Sequence, residues 1–454
     1  MRPNWLTVVA LVALISPSLA AAAELPRYSL PVGRKLIYTT SSASKATAGE
    51  SGMSTKSSIR VTVVRENPDG SRRVIIRSAS SYSQASAAGV HDSPERVQLA
   101  YADIFPDGRV LPNQSLGIQA EPAAVLPPLP KDEAELSKGW SGSNEAKQET
   151  TTYTSQPAKA GEFLFSAVRD GVMDKIYLTT HKATYHFDTA KDAVTLVERE
   201  MSQDYGFHTK GTGQTKLESD ETVDAKEATQ LAADFEQFFA AKEKYDELMG
   251  EVEKDPEHAD ASIASAESAI QKARDQVNSP DARAELAKVL ENHAEYAKYA
   301  RESSDKFKDV LNKPAASWET TDIEGKPAKL ADYRGKVVVM DFWYRGCGWC
   351  MYAMPQVKQL AADYKDKPVI VLGMNTDREE KDAKFVIDTM GLKYPTIKAE
   401  GIPEKYGVQG FPTLIIIDQD GVVRDVHVGY SRDLRAQVSK KVDELLSKPA
   451  KVGG

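Results

Sequence analysis

Along the first half of the chain, apolar and polar residues alternate with a period of two, the pattern of strands with one buried face. The stretches 59–64, 73–79, 97–104, 163–168, 175–180, 183–187 and 194–201 all read this way. Asn67-Pro68-Asp69-Gly70, Pro106-Asp107-Gly108 and Asp170-Gly171 separate them with turn-forming residues. Sequential strands joined by short turns predict a mainly antiparallel β domain over 24–220, one wall of a sandwich or a partly closed barrel. The proline-rich stretch 121–130 reads as a loop or lip, and 42–56, small and polar, as a mobile segment.

The period then changes. Over 222–311 Ala, Glu, Lys and Gln dominate, and apolar residues fall at helical spacing. Leu231, Phe235, Phe238 and Phe239 mark one face of a helix over 225–251. A second helix is expected over 261–277, with Asp260 as its cap and Ile263 and Ile270 on one side. Asn278-Ser279-Pro280 stops it and starts a third, 281–311, with Leu286, Val289, Leu290, His293 and Tyr296 in one stripe. Two or three such helices form a hairpin or small bundle, or a rod-like spacer.

Beyond Asn312-Lys313-Pro314 strands and helices alternate, which predicts an α/β unit over 312–448 and a tail at 449–454. The run Val337-Val338-Val339-Met340 is a buried strand, and a helix with Met351, Met354, Val357 and Leu360 on one side follows. Residues 369–374 form another buried strand. Thr376 or Asp377 caps a helix closed by Gly391, 414–417 and 422–428 make a hairpin, and Ser431 caps a last amphipathic helix.

A length of 454 residues fits about three domains of this kind. The net charge of −8 gives no basic field for nucleic acid. Residues 1–23 read as a secretory signal: Arg2, a short apolar core from Leu6 to Ile15, and small residues before a preferred cleavage after Ala23. An uncleaved membrane anchor is the alternative. The expectation is a periplasmic or other extracytoplasmic protein, in an oxidising compartment.

The chain has only two cysteines, Cys347 and Cys350, spaced C-x-x-C where the strand turns into the helix. The unpaired N–H groups and positive dipole end of the first helical turn favour a thiolate. Cys347 is therefore the expected attacking thiol, exposed and of lowered pKa, and Cys350 the resolving one that closes a Cys347–Cys350 disulfide. Three other readings stand beside redox chemistry. A structural disulfide would close only a tiny loop, which stabilises little. A zinc half-site lacks further cysteine ligands, and a haem attachment motif needs His where Met351 stands. No cofactor or metal is expected. His181 and His186, five apart, would face opposite sides of a strand and read as surface histidines.

Val-Val-Val-Met-Asp-Phe-Trp before the cysteines, Pro355 after them and the segment Tyr406–Asp418 containing Gly410-Phe411-Pro412-Thr413 resemble the thioredoxin superfamily. The lead-in Trp318–Lys326 and Leu330–Lys336 resembles its TlpA/ResA-like branch, which is grouped with AhpC/TSA-Redoxin domains. The resemblance covers 312–448. It implies a thioredoxin-like fold, a cis peptide at Pro412 opposite the cysteines, and Asp341 buried beneath Cys350 as the base that takes its proton. It also implies that the backbone of Phe411 pairs with an extended substrate. Trp349, between the cysteines, is expected to be exposed and to touch a partner, and Pro355 to kink its helix.

Two positions depart from the family pattern: Gly346 stands where Trp is usual, and Gly348-Trp349 where Gly-Pro is common. Gly346 is expected to leave the thiol open to water, and Arg345 to lower its pKa by direct attraction. The resulting expectation is an exported thiol:disulfide oxidoreductase that reduces protein disulfides and is recharged by an upstream thiol donor. The alternatives are an oxidase or isomerase, or a binding protein using the fold as a docking platform. The β domain is a candidate partner-binding module.

Overall fold

A computed structural model describes residues 25–46, 51–86, 89–111, 122–144, 148–204, 208–254 and 258–447. Residues 1–23, read above as a leader, and the expected tail at 449–454 lie outside the described residues.

The first part is one large antiparallel sheet. Its strands are β1 (Arg34–Ala46), β2 (Gly52–Glu66), β3 (Arg72–Ser86), β4 (Gly89–Asp92) and β5 (Arg96–Ile104). A one-turn helix, α1 (Glu133–Lys138), precedes β6 (Trp140–Asn144), β7 (Glu149–Gln156) and β8 (Glu162–Gly171). A second short helix, α2 (Val172–Ile176), precedes β9 (Thr179–Asp188), β10 (Ala193–Gln203) and β11 (Thr209–Thr222). The strand order is β4-β3-β2-β1-β11-β10-β9-β8-β7-β6, with β5 also on β3. Two meanders are thus joined where β1 meets β11.

The strand path is open, with β4 and β6 at its two ends, so the barrel is not closed, and residues of both meanders share one core. Val61, Val74, Phe165 and Phe187 of the sheet share one buried cluster with Tyr28, Val125, Leu126 and Leu129 from the connecting segments. The proline-rich stretch is therefore a buried cover rather than a free lip. The Tyr28 hydroxyl donates to Pro127 O at 2.9 Å and the Trp140 indole to Pro128 O at 2.8 Å, which satisfies two carbonyls of a stretch that lies outside the strand ladder. Burial of a side chain such as Leu126 contributes about 1.5–3 kcal/mol.

Two expectations fail here for local reasons. Residues 42–46 and 52–56 are paired strand, with Ser42 opposite Thr55 and Ser44 opposite Met53. Small side chains suit the close approach of β11, where a Cβ on Gly213 would stand 2.9 Å from Ser42 Cβ. Residues 175–178 are not strand: α2 occupies 172–176, and Leu178 turns the chain back at φ 49° before β9 begins at Thr179. The Asp174 carboxylate seeds that turn by accepting the Gly171 N–H at 3.1 Å.

Helices α3 (Ala225–Lys254), α4 (Ala259–Gln276) and α5 (Pro280–Phe307) pack together around Phe238, Tyr245, Ile270 and Leu286. Phe235 of α3 joins Val64 and Ile75 in a separate cluster, so the helices are seated on the sheet. Ser279 caps α5 with Pro280 in its first turn. Asp260 is not a cap; it lies inside α4 and pairs with Arg301 at 2.7 Å. The buried stripe of α5 runs through His293, Ala297 and Ala300, leaving Tyr296 exposed. The helix ends at Phe307 rather than 311, and Asn312 N–H bonds Val423 O instead.

The last part carries β12 (Glu319–Thr321), β13 (Pro327–Lys329), β14 (Val337–Trp343), α6 (Gly348–Asp363), β15 (Val369–Asn375) and α7 (Glu380–Met390). Then follow β16 (Thr396–Lys398), α8 (Ile402–Lys405), β17 (Thr413–Ile417), β18 (Val423–Val428) and α9 (Leu434–Ser447). A five-stranded sheet runs β16-β15-β14-β17-β18, parallel on the β15 side of β14 and antiparallel on the β17 side. All seven residues of β14 are buried, as a central strand covered on both faces requires. This is a thioredoxin-like α/β fold, and the chain is multidomain. Helix α6 continues through Pro355. Helix α7 begins after Glu379, because the Asp377 carboxylate is engaged by the Arg345 backbone N–H instead of capping.

Candidate active site

Strand β14 delivers Asp341 and Trp343 into the core, and the chain then turns through Tyr344, Arg345 and Gly346. Cys347 is the N-cap of α6 and Cys350 lies in its first turn. The two are joined as a disulfide, with S–S 2.05 Å. The Cys350 backbone N–H points at Cys347 Sγ, 3.1 Å away. In the reduced protein the same N–H and the helix dipole stabilise a thiolate at Cys347, the condition for nucleophilic attack.

Asp341 is buried, and desolvation pushes its carboxyl up to about 7. It pairs with Gly373 on one side and Leu414 on the other. Gly373 keeps this spot open: a Cβ there would stand 3.0 Å from both Trp343 Nε1 and Thr396 Oγ1 and 3.2 Å from the Tyr394 ring. Those three polar side chains, buried around Asp341's strand neighbour, find no hydrogen-bond partner among the described residues. Sequence reasoning passed over Gly373, Tyr394 and Thr396. The isolated glycine within an otherwise apolar strand was the available signal.

The Phe411–Pro412 peptide is cis. Phe411 is partly buried and meets the half-exposed Tyr344 ring edge-on at 5.3 Å. Trp349 is 47% exposed, stacked on Tyr430 at 5.7 Å and close to Tyr352.

The thiol environment differs from the expected one in two ways. Cys347 is only 6% exposed. Gly346 does not open it to water, because the Tyr344 ring occupies the glycine's free side, 3.0 Å from where a Cβ would stand. Arg345 does not aim at the sulfur either. Its guanidinium is buried over the Phe385 ring, pairs with Asp382 at 2.8 Å and donates to Ile176 O at 2.9 Å.

That last bond reaches out of the thioredoxin-like part. Ile176 of α2 is fully buried in the same cluster as Trp343, Cys347, Cys350 and Met351, with Val172, Met173 and Tyr177 packed against it. The Tyr177 hydroxyl donates to Arg345 O at 3.4 Å. From α5, the Tyr299 hydroxyl lies 3.9 Å from where a Cβ on Gly410 would stand, beside Phe411. Nothing in the sequence links Ile176, Tyr177 or Tyr299 to the cysteines, which they precede by long intervals.

Among the described residues no three His, Cys, Asp or Glu side chains gather as a metal site. His181 is near Asp174 at 3.4 Å, and His186 is near Glu162 at 2.6 Å and Glu198 at 3.6 Å. No described helix is long and apolar enough to cross a membrane.

Residues 303–445 match the Redoxin family. The thiol-disulfide oxidoreductase ResA of Bacillus thuringiensis (strain Al Hakam) is 33% identical over 143 residues, 31% of this chain and 83% of that protein. The thioredoxin-like protein YneN of Bacillus subtilis (strain 168) is 36% identical over 110 residues, 24% of this chain and 65% of that one. Among solved structures, the thioredoxin domain of a thiol-disulfide oxidoreductase from Bacteroides vulgatus is 29% identical, with a TM-score of 0.28, covering 29% of this chain and 98% of its own. The match to the ResA protein over most of its length, with a Redoxin match whose residues include the cysteine turn and the cis-proline loop, makes this chain a thiol-disulfide oxidoreductase of the ResA type, within the Redoxin family.

Proposed function

We propose that this oxidoreductase is exported and reduces disulfides of extracytoplasmic proteins through the Cys347–Cys350 pair. The observation that carries this reading is the position of Cys347 Sγ at the N-cap of α6, accepting the Cys350 N–H. The Cys347 thiolate attacks one sulfur of the substrate disulfide; that S–S bond breaks, and the other sulfur leaves as a thiolate. Cys350, its proton taken by Asp341, then attacks Cys347 Sγ and releases the second substrate sulfur. Two electrons pass to the substrate, and the protein is left with the disulfide seen in this structure. A thiol or dithiol donor upstream restores the reduced pair by the same exchange in reverse.

One feature supports the reducing direction: the Arg345 guanidinium is engaged by Asp382 and the Ile176 carbonyl, which draws it away from the role of a direct thiolate partner of the kind that makes a strong oxidant. Burial keeps Asp341 poised near neutral pH, where it can accept and return a proton and so serves exchange in either direction. Export rests on the leader pattern at 1–23. In this reading 24–220 is a β domain that meets partners, 222–311 a helical connector, and 312–448 the redox domain. Trp349 and the Phe411 backbone touch the substrate, and Pro412 shapes that contact. Insulin reduction by the dithiothreitol-reduced protein, with the protein's own thiols titrated before and after, tests the direction. Failure to reduce insulin, together with oxidation of a reduced unfolded protein, would reassign it as an oxidase.

A further inference from the structure

Cys347 is only 6% exposed, although in-line attack on a disulfide requires an incoming sulfur to reach it. The β domain contributes to this burial. Between β8 and β9, where a tight hairpin would suffice, the chain inserts α2 and drives Ile176 into the cluster that holds both cysteines. Tyr177 follows, with its hydroxyl on Arg345 O at 3.4 Å and 3.9 Å from where a Cβ on Gly348 would stand. That side chain therefore borders the turn carrying the nucleophile.

The insertion is braced from behind. The Asp174 carboxylate takes two hydrogen bonds from Arg169, at 2.9 and 2.6 Å, and the Gly171 N–H at 3.1 Å, with His181 at 3.4 Å. Burial alone would raise this carboxyl; the hydrogen bonds from His181 and Arg169 outweigh it and hold it down at about 2. Asp174 is thus an anion throughout the neutral range, and the brace stays formed.

We propose that α2 and Tyr177 form a specificity lip on the redox site, supplied in cis by the β domain. The lip admits small disulfides and sulfurs carried on flexible, extended chain, and it turns away disulfides fixed in the surface of folded proteins. Tyr177 acts by narrowing the approach to Cys347, not by taking part in the exchange. The inference rests on the reading of Cys347 as the attacking thiol.

The test uses the full chain carrying Cys350→Ser, reduced so that Cys347 is the sole thiol. Its alkylation is timed with N-ethylmaleimide and with a maleimide on a long polyethylene glycol. Tyr177→Ala is expected to raise the ratio of bulky to small rates roughly tenfold, the population shift that about 1.4 kcal/mol of lost lip contact produces. Tyr177→Phe keeps the ring and is expected to keep the wild-type ratio. Met173→Ala, on the same short helix, is expected to shift the ratio in the same direction as Tyr177→Ala. Equal acceleration of both reagents, or an unchanged ratio in both alanine variants, would overturn the lip. Alkylation needs no exchange partner, so the two readings fail separately. Loss of insulin reduction with the ratio shift intact would sink the proposed function alone, and a constant ratio in a chain that reduces insulin would sink the lip alone.

Discussion

The guanidinium of Arg345 donates to the backbone carbonyl of Ile176 at 2.9 Å, tying the residue two positions before Cys347 to a helix 169 residues upstream. The same group pairs with Asp382. A cation held in this way belongs to the domain seam, not to the thiolate. Arg345→Met is therefore expected to destabilise the chain by roughly 2–4 kcal/mol through the buried partners it abandons. It should leave the pH dependence of Cys347 thiolate formation essentially unchanged. Denaturant unfolding and thiolate absorbance against pH check the two halves; a large fall in thiolate stability would return Arg345 to the role of direct activator.

The proposed order of attack follows from the N-cap position of Cys347. Cys347→Ala is expected to abolish exchange, and Cys350→Ser to accumulate long-lived mixed disulfides through Cys347. Non-reducing gels with thiol trapping separate the two. Accumulation through Cys350 in the Cys347 variant would reverse the order of attack.

Asp341 makes a pH prediction whose sign is set by burial. Its pKa is raised in the fold from 3.8 to about 7, so the protonated acid is the form the fold prefers. Its contribution to stability is complete below the unfolded pKa and is lost as pH rises through about 7. Asp341→Asn should remove that loss and make the oxidised protein more stable above neutrality, by up to about 4 kcal/mol for a shift of roughly three units. The same substitution should slow the resolving step and push its pH midpoint toward that of an unassisted thiol. Urea titrations from pH 5 to 9 and stopped-flow release of a mixed disulfide read the two effects.

A fragment beginning near residue 312 is expected to fold alone and to reduce a generic disulfide, since the cysteine turn, Asp341 and the cis-proline loop all lie within it. Without α2 it should also discriminate less between small and bulky substrates. An insoluble or inactive fragment beside an active full chain would show that the upstream elements complete the site.

The reduction potential should fall between about −270 and −120 mV, nearer the reducing end. Equilibration in glutathione or dithiothreitol buffers, followed by thiol quantification, measures it. A value at the oxidising limit would move the oxidase reading to first place.

The redox centre was legible because its parts are local. The apolar strand, the C-x-x-C at a helix start and the Gly-Phe-Pro-Thr loop each announce themselves within a few residues, and the geometry follows from standard helix and sheet spacing. What stayed hidden was non-local. Alternation cannot show that residues 172–178 leave the sheet to bury Ile176 among the cysteines, because a short apolar run suits a strand or a helical turn alike. Arg345 looked like a neighbour of Cys347 because sequence distance was the only distance available. Asp382 and the Ile176 carbonyl decide its orientation, and both arrive from elsewhere in the chain.

The pairing of β1 with β11, from Arg34 opposite Thr222 to Ala46 opposite Thr209, also sets an order of events during synthesis. The opening strand waits with one edge unpaired until Thr222 is made, and only then can the two meanders join, a slow closure of distant segments. Both cysteines are translated more than a hundred residues later. The sheet that this late pairing completes carries α2, whose Ile176 shares a core with both sulfurs, so a sheet that never bonds the cysteines still forms part of their cover.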